Sequence, residues 1–177
     1  MTSSTETAVT TQVYRVYIKA TPQAIWDAIT RPEWSQKYGY GGIAEIELHP
    51  GGAFRLRADA AMVAAAEQHG YPMPDVIIDG EVIEADPPRK LVQTWRMLME
   101  ADLAGERASR LTFEIAGGDN GVSTLTVTHD LTDAPMTAVL VSGAKEAEGA
   151  GGGWSWVLSD LKTLLETGER MAKEGQA

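Results

Sequence analysis

The chain has no cysteine, which excludes disulfides, thiolate chemistry and Cys-type zinc sites. Histidine is scarce: His49, His69 and His129 are too scattered for a metal triad to be read from spacing. No metal and no cofactor is expected. Positive charge is in deficit, with 15 Lys+Arg against 25 Asp+Glu and a net charge of −10. No three basic residues cluster, so the electrostatic footprint of a nucleic-acid binder is missing. No apolar run approaches the ~20 residues of a membrane span. The opening MTSSTETAVTTQ has neither the charged nor the apolar segment of a secretory signal. Also missing are G-x-S-x-G, a phosphate-cradling P-loop, H-E-x-x-H and a G-x-G-x-x-G that opens a helix. A soluble, cytoplasmic chain is expected, with no nucleic acid and no membrane span among its partners and a monomer as the default state.

What is present is a core. The 177 residues are 44% hydrophobic, and a chain of this size buries about 70% of its surface on folding. Residues 1–11 are Thr/Ser-rich and read as a disordered N-terminal tail; residues 12–172 read as a single domain. QVYRVYIKA alternates, with Tyr14, Val16 and Ile18 on one side, as in a half-buried strand. Thr21-Pro22 opens a short helix carrying Ile25, Trp26 and Ile29, and Pro32 opens a second. Strand signals follow at 43–48, 53–57, 76–84, 91–99, 108–115 and 122–131, separated by Gly- and Pro-rich turns. The Ala-rich stretch from 59 reads as a short helix, and Gly70, Pro72 and Pro74 turn the rest of 59–75 into irregular loop.

The C-terminal pattern is the sharpest. Trp154, Val157, Leu158, Leu161, Leu164 and Leu165 fall on one helical face, and the spacing predicts a helix over 154–172. It would run about 28 Å at 1.5 Å per residue. The result is an α+β chain: a curved antiparallel sheet of about six or seven strands, two short helices after the first strand, and one long helix able to cover the sheet. A sheet curves more than a helix, so a space between them is a candidate pocket.

Parity selects the residues facing that space. The strands contribute Phe54, Trp95, Met97, Leu111 and Phe113; the helices contribute Trp26, Trp154, Leu158 and Leu161. Met136 and Val139 come from the segment between the last strand and the long helix, and Met62 caps the pocket from the insertion. Five Trp and seven Met suit an adaptable apolar wall, although a plain packed core would use the same residues. Gln93 falls inward between Leu91 and Trp95, and a buried amide needs partners from the protein or from a ligand. His129 shares the Leu125/Val127 face. It is either a hydrogen-bonded histidine at a strand end or a polar group on the pocket wall, the one weak catalytic candidate. Asp79 and Glu81 fall on the charged outer face and read as solvated. Trp156, about 200° around the helix from Trp154, is either covered by 136–148 or an exposed contact. The glycines of 149–153 give the chain freedom to swing onto the helix, or form a gate at the pocket mouth.

Several strings in this order resemble the START/Bet v 1-like (SRPBCC) superfamily, in its Hsp90-ATPase-activator-homologue-like (AHSA1-type) branch. They are ATPQAIWDAIT (20–30), HPGGAFRLR (49–57), DGEVIEADPPRKLVQTW (79–95), RLTFEI (110–115), STLTVTHDL (123–131) and GGGWSWVLSDLKTLLETGE (151–169). The resemblance implies a helix-grip fold with a cavity between sheet and C-terminal helix. Its relatives include lipid and polyketide carriers, aromatase/cyclases, stress proteins and antibiotic self-resistance proteins. The expected function is therefore non-catalytic binding of a small hydrophobic or aromatic molecule as carrier, sensor or sequestering protein. An aromatase/cyclase-like or hydrolase-like enzyme using His129, and a chaperone or partner regulator, are the alternatives.

Overall fold

The computed structural model describes residues 10–172. Residues 1–9 of the expected tail lie outside that range, and Thr11 opens the first strand. The strands are β1 (Thr11–Ile18), β2 (Ile43–Ile46), β3 (Ala53–Arg57), β4 (Val76–Asp86), β5 (Lys90–Met97), β6 (Ser109–Gly117) and β7 (Ser123–Asp130). They form one sheet in the order β1-β7-β6-β5-β4-β3-β2, and every neighbouring pair is antiparallel. Register shifts interrupt β3/β4 between Leu56 and Arg57, and β4/β5 between Val82 and Glu84. An extra residue on one strand of a pair bends it and adds twist, so these two points help the sheet curl.

The helices are α1 (Pro22–Thr30), α2 (Pro32–Ser35), α3 (Ala60–Gln68), α4 (Ala101–Ala104), α5 (Pro135–Val141) and α6 (Gly153–Thr167), with a 3₁₀ turn at Glu146–Glu148. Local chemistry sets their ends. Thr21 Oγ1 accepts the Ala24 N–H at 3.1 Å, and Asp59 Oδ1 accepts the Met62 N–H at 2.9 Å, so α1 and α3 begin on side-chain caps. The long helix stops five residues short of the expected 172. Gly168 takes a left-handed φ of 80° and its N–H caps the Leu164 carbonyl, a conformation glycine adopts without penalty.

The alternation expected for the strands is present in the burial. Along β7, Ser123, Leu125, Val127 and His129 are buried while the Thr residues between them are half exposed. Opposite that face, Leu158, Leu161 and Leu164 of α6 are buried. The outer face carries charge: Arg96 grips Asp79 with two hydrogen bonds of 3.1 and 2.9 Å. No helix among the described residues is long and apolar enough to cross a membrane.

Candidate functional site

Sheet and α6 do not close on each other. A cavity of about 530 Å³ lies between them, within the ~300–1,000 Å³ range of small-molecule sites. Its floor is the concave face of the sheet, including Phe54, Ile78, Gln93, Trp95, Leu111 and Phe113. Its roof is Trp154, Val157, Leu158 and Leu161 of α6. Met62 on α3, Met73 in the loop after it, Met97 at the end of β5 and Met99 just beyond it line the sides. Four thioethers on one cavity give a wall that can re-pack around different shapes. Among the described residues, Glu100 is the one charged side chain in the lining, and it is exposed. It accepts a 3.0 Å hydrogen bond from the half-exposed Tyr71 hydroxyl, so α3's loop and the β5–α4 loop meet where the cavity reaches solvent.

The other side of the opening is the loop after α2. Tyr38 donates to the Ala28 carbonyl at 3.1 Å, and burial pushes its phenol well above the ordinary range. Gly39 N–H donates to Asp160 Oδ2 at 2.8 Å. Asp160 is 1% exposed, on α6. Its other oxygen accepts the Met171 N–H at 2.7 Å, and Arg170 Nη2 donates to the Gly39 carbonyl at 2.7 Å. One buried carboxylate thus ties the α2–β2 loop, α6 and the chain after Gly168 together. Tyr40 accepts the Gly153 N–H at 3.0 Å on its hydroxyl. Gly153 itself can be nothing else: its φ is 62°, and a Cβ there would run into the Val141 carbonyl. The glycine run is thus the place where α5 and α6 come close, and its last residue is tied to Tyr40.

Of the residues expected on the wall, Phe54, Met62, Gln93, Trp95, Met97, Leu111, Phe113, Trp154, Leu158 and Leu161 line the cavity. Four do not. Trp26 is buried in the core cluster, and Ile29, three residues on, is the α1 residue that reaches the cavity. Met136 and Val139 are 42% and 40% exposed. Glu106 holds the start of α5, accepting the Met136 N–H, the Thr137 N–H and the Thr137 hydroxyl at 2.7–2.9 Å. With the helix anchored so, Thr137 and Val141 turn inward and residues 136 and 139 turn out. Burial works to raise the Glu106 pKa, but the hydrogen bonds from Thr137 and Met136 outweigh it and the carboxyl sits below its usual range.

His129 is the fourth. It is fully buried behind the cavity wall. Trp154 Nε1–H donates to its Nδ1 at 3.1 Å, and its Nε2 lies 2.7 Å from Ser109 Oγ. Ser109 donates its own proton to the Trp95 carbonyl at 2.8 Å. Its Oγ must therefore accept from His129, which assigns the proton to Nε2 and leaves a neutral ring. Trp95 and Trp154 also pack edge-on against the imidazole, at 5.2 and 6.1 Å between centroids. Burial depresses its pKa to about 4, against a smaller opposite pull from Asp130. Both ring nitrogens are engaged within the protein, and the ring positions Trp154.

Sequence reasoning missed Asp160, Tyr38, Tyr71 and Met73. A signal for Asp160 existed: it falls about 40° from Leu164 around the helix, on the margin of the apolar stripe. Trp156 is half-buried with its indole N–H buried and unpartnered.

A curved antiparallel sheet gripping a C-terminal helix over a hollow defines a helix-grip, Bet v 1-like protein. The chain belongs to the family of Activator of Hsp90 ATPase homolog 1-like proteins, whose profile matches residues 19–166. No curated protein matches it. Among solved structures, CalU16 from Micromonospora echinospora is 18% identical with a TM-score of 0.53, over 79% of this chain and 72% of that one. PFC0360w, an HSP90 activator from Plasmodium falciparum, is 18% identical with a TM-score of 0.61, over 89% and 96%. DynU16, from the dynemicin biosynthetic locus, is 20% identical with a TM-score of 0.63. This chain is covered over 94% of its length there and spans about half of DynU16, 51%. At these identities the likeness is one of fold.

Proposed function

We propose that the protein binds one small hydrophobic or aromatic molecule, of lipid, polyketide or antibiotic-like character, between sheet and α6, without catalysis. The observation that carries this reading is a hollow of about 530 Å³ with an almost wholly apolar lining, where packing would ordinarily leave little space. Burying about 300 Å² of ligand surface there is worth roughly 7 kcal/mol before association costs. The fold likeness to DynU16, a protein of a biosynthetic locus, is in keeping with such a ligand. A carrier, a sensor and a sequestering protein all use this chemistry.

The test is a titration with a panel of polycyclic aromatic and acyl-chain probes, followed by amide NMR. The expected result is saturable one-to-one binding, with shifts concentrated on Trp95, Phe113 and residues 154–165. Shifts confined to the outer face of the sheet, or none with any probe, would remove the proposal.

A further inference from the structure

We infer that the hollow carries a modification site: the thioethers of Met62, Met73, Met97 and Met99, whose oxidation by a peroxide to sulfoxides closes it to apolar ligands. This rests on the cavity being a binding site and adds a chemical control to it. Four of the chain's seven methionines line this one cavity. Each is half-buried, packed against the core yet still partly accessible. They converge from two separate stretches of chain, Met62 and Met73 from the segment between β3 and β4, Met97 and Met99 from the end of β5 and just beyond. Tyr71 and Glu100, both exposed, belong to the same two stretches and meet where the cavity reaches solvent. α3 has Ala66 as its one buried residue, so Met62 stands on a thinly covered helix. Cysteine, the competing sulfur, is absent from the chain.

The step is a two-electron oxidation of sulfur by hydrogen peroxide. The thioether sulfur attacks one peroxide oxygen, the O–O bond breaks and an S–O bond forms. The departing hydroxide takes the proton from the sulfur-bound oxygen and leaves as water, so the peroxide is reduced and the side chain becomes a sulfoxide. An apolar, flexible group turns polar without any change of charge. In this wall the new oxygen is poorly provided for. Among the described residues no lysine, arginine or histidine lines the cavity, and Tyr71, the hydroxyl on this side, already donates to Glu100. A sulfoxide oxygen here keeps water instead. An apolar ligand that displaces that water leaves a buried acceptor unpaired. Leucine would fill the same wall without this liability; methionine makes it adaptable and oxidisable at once.

The test titrates pyrene and a dansyl-labelled undecanoyl chain, by fluorescence, into the wild-type protein before and after hydrogen peroxide, which catalase removes first. Peptide mass spectrometry maps the oxidised residues. Met136 and Met171, each 42% exposed and outside the lining, are internal controls. Being the more exposed, they should oxidise first with affinity unchanged. Affinity should then fall about tenfold as the four lining sulfurs follow, the usual effect of leaving a buried polar group unpaired. Saturating pyrene should slow oxidation of the four and not of Met136 and Met171. Met62→Leu, Met73→Leu, Met97→Leu and Met99→Leu together should make binding insensitive to peroxide. Three results overturn this inference and leave the cavity's binding role standing: lining methionines that stay reduced when the controls are fully oxidised, affinity unchanged once the four are sulfoxides, or a loss that comes with unfolding in circular dichroism. Failure of both probes to bind the untreated protein overturns both. Affinity and protection are read on the wild type, so a leucine variant that does not fold leaves the test intact.

Discussion

Replacing His129 with alanine is expected to destabilise the protein by about 4 kcal/mol, combining a ring-sized void with two lost hydrogen bonds. The imidazole is buried among Trp95 and Trp154 and joins the Trp154 indole to Ser109. The same residue should control stability on the acid side. Its folded pKa, depressed by burial to about 4, lies below the ordinary value of about 6.5. Between those values the unfolded chain binds a proton that the folded chain refuses. The stabilisation is complete above pH 6.5 and falls as pH drops toward 4, by about 3 kcal/mol over the window. Below pH 4 both forms are protonated and this loss stops growing. A proton entering Nδ1 also expels the Trp154 indole N–H, so the roof of the cavity should loosen in the same range. Urea denaturation of wild type and His129→Ala at pH 7.5, 5.5 and 4 separates this group from the carboxylates, which titrate in both proteins. The two stability curves should converge as pH falls; parallel curves would show that His129 titrates with the same pKa folded and unfolded.

How much of this was visible in the sequence follows from which interactions are local. The alternation Leu125, Val127, His129 and the periodicity of Trp154, Leu158 and Leu161 are written into neighbouring residues, and periodicities of 2.0 and 3.6 place side chains on faces without knowledge of partners. That is why Gln93 could be turned inward from parity alone. Contacts made at a distance were not legible. Met136 and Val139 face out because Glu106, from a loop 30 residues earlier, anchors the start of α5. His129 lies on the face that alternation assigned to it, yet behind the wall, because Trp154 comes across from α6 and closes over it. Parity gives the face of a strand; it does not give which residue from the facing layer lands on top. Asp160 shows the limit on a helix, where its margin position was visible but its three partners, from two distant segments, were not.

Asp160→Ala is the second large effect expected. The carboxylate is 1% exposed and accepts from the Gly39 N–H, the Met171 N–H and, at 3.5 Å, Arg170 Nη2. Removing it leaves two backbone donors without their acceptor and takes the counter-charge from Arg170, which keeps its bond to the Gly39 carbonyl; this is expected to cost about 3–5 kcal/mol. Asp160→Asn should be nearly as severe, because the amide offers one acceptor where two are used and turns an N–H toward a donor. Arg170→Met should be milder, since both backbone donors to the carboxylate remain. The consequence reaches the cavity through Gly39. Its φ of 64°, and Val157 lying 3.3 Å from where a Cβ would stand, leave room only for glycine in the loop that carries Tyr38 and Tyr40, both in the lining. With the clamp gone, that side of the opening loses its anchor, and probe affinity should fall even at temperatures where the variant is still folded. Hydrogen exchange reads the local step directly. The Gly39 and Met171 amides should be protected in the wild type and should lose protection in Asp160→Asn, while β6 and β7 amides change only in proportion to global stability. Unchanged protection at Gly39, with stability within about 0.5 kcal/mol of wild type, the range of an ordinary surface substitution, would show that the loop is held by packing of Tyr38 and Val157 and that Asp160 is not its anchor.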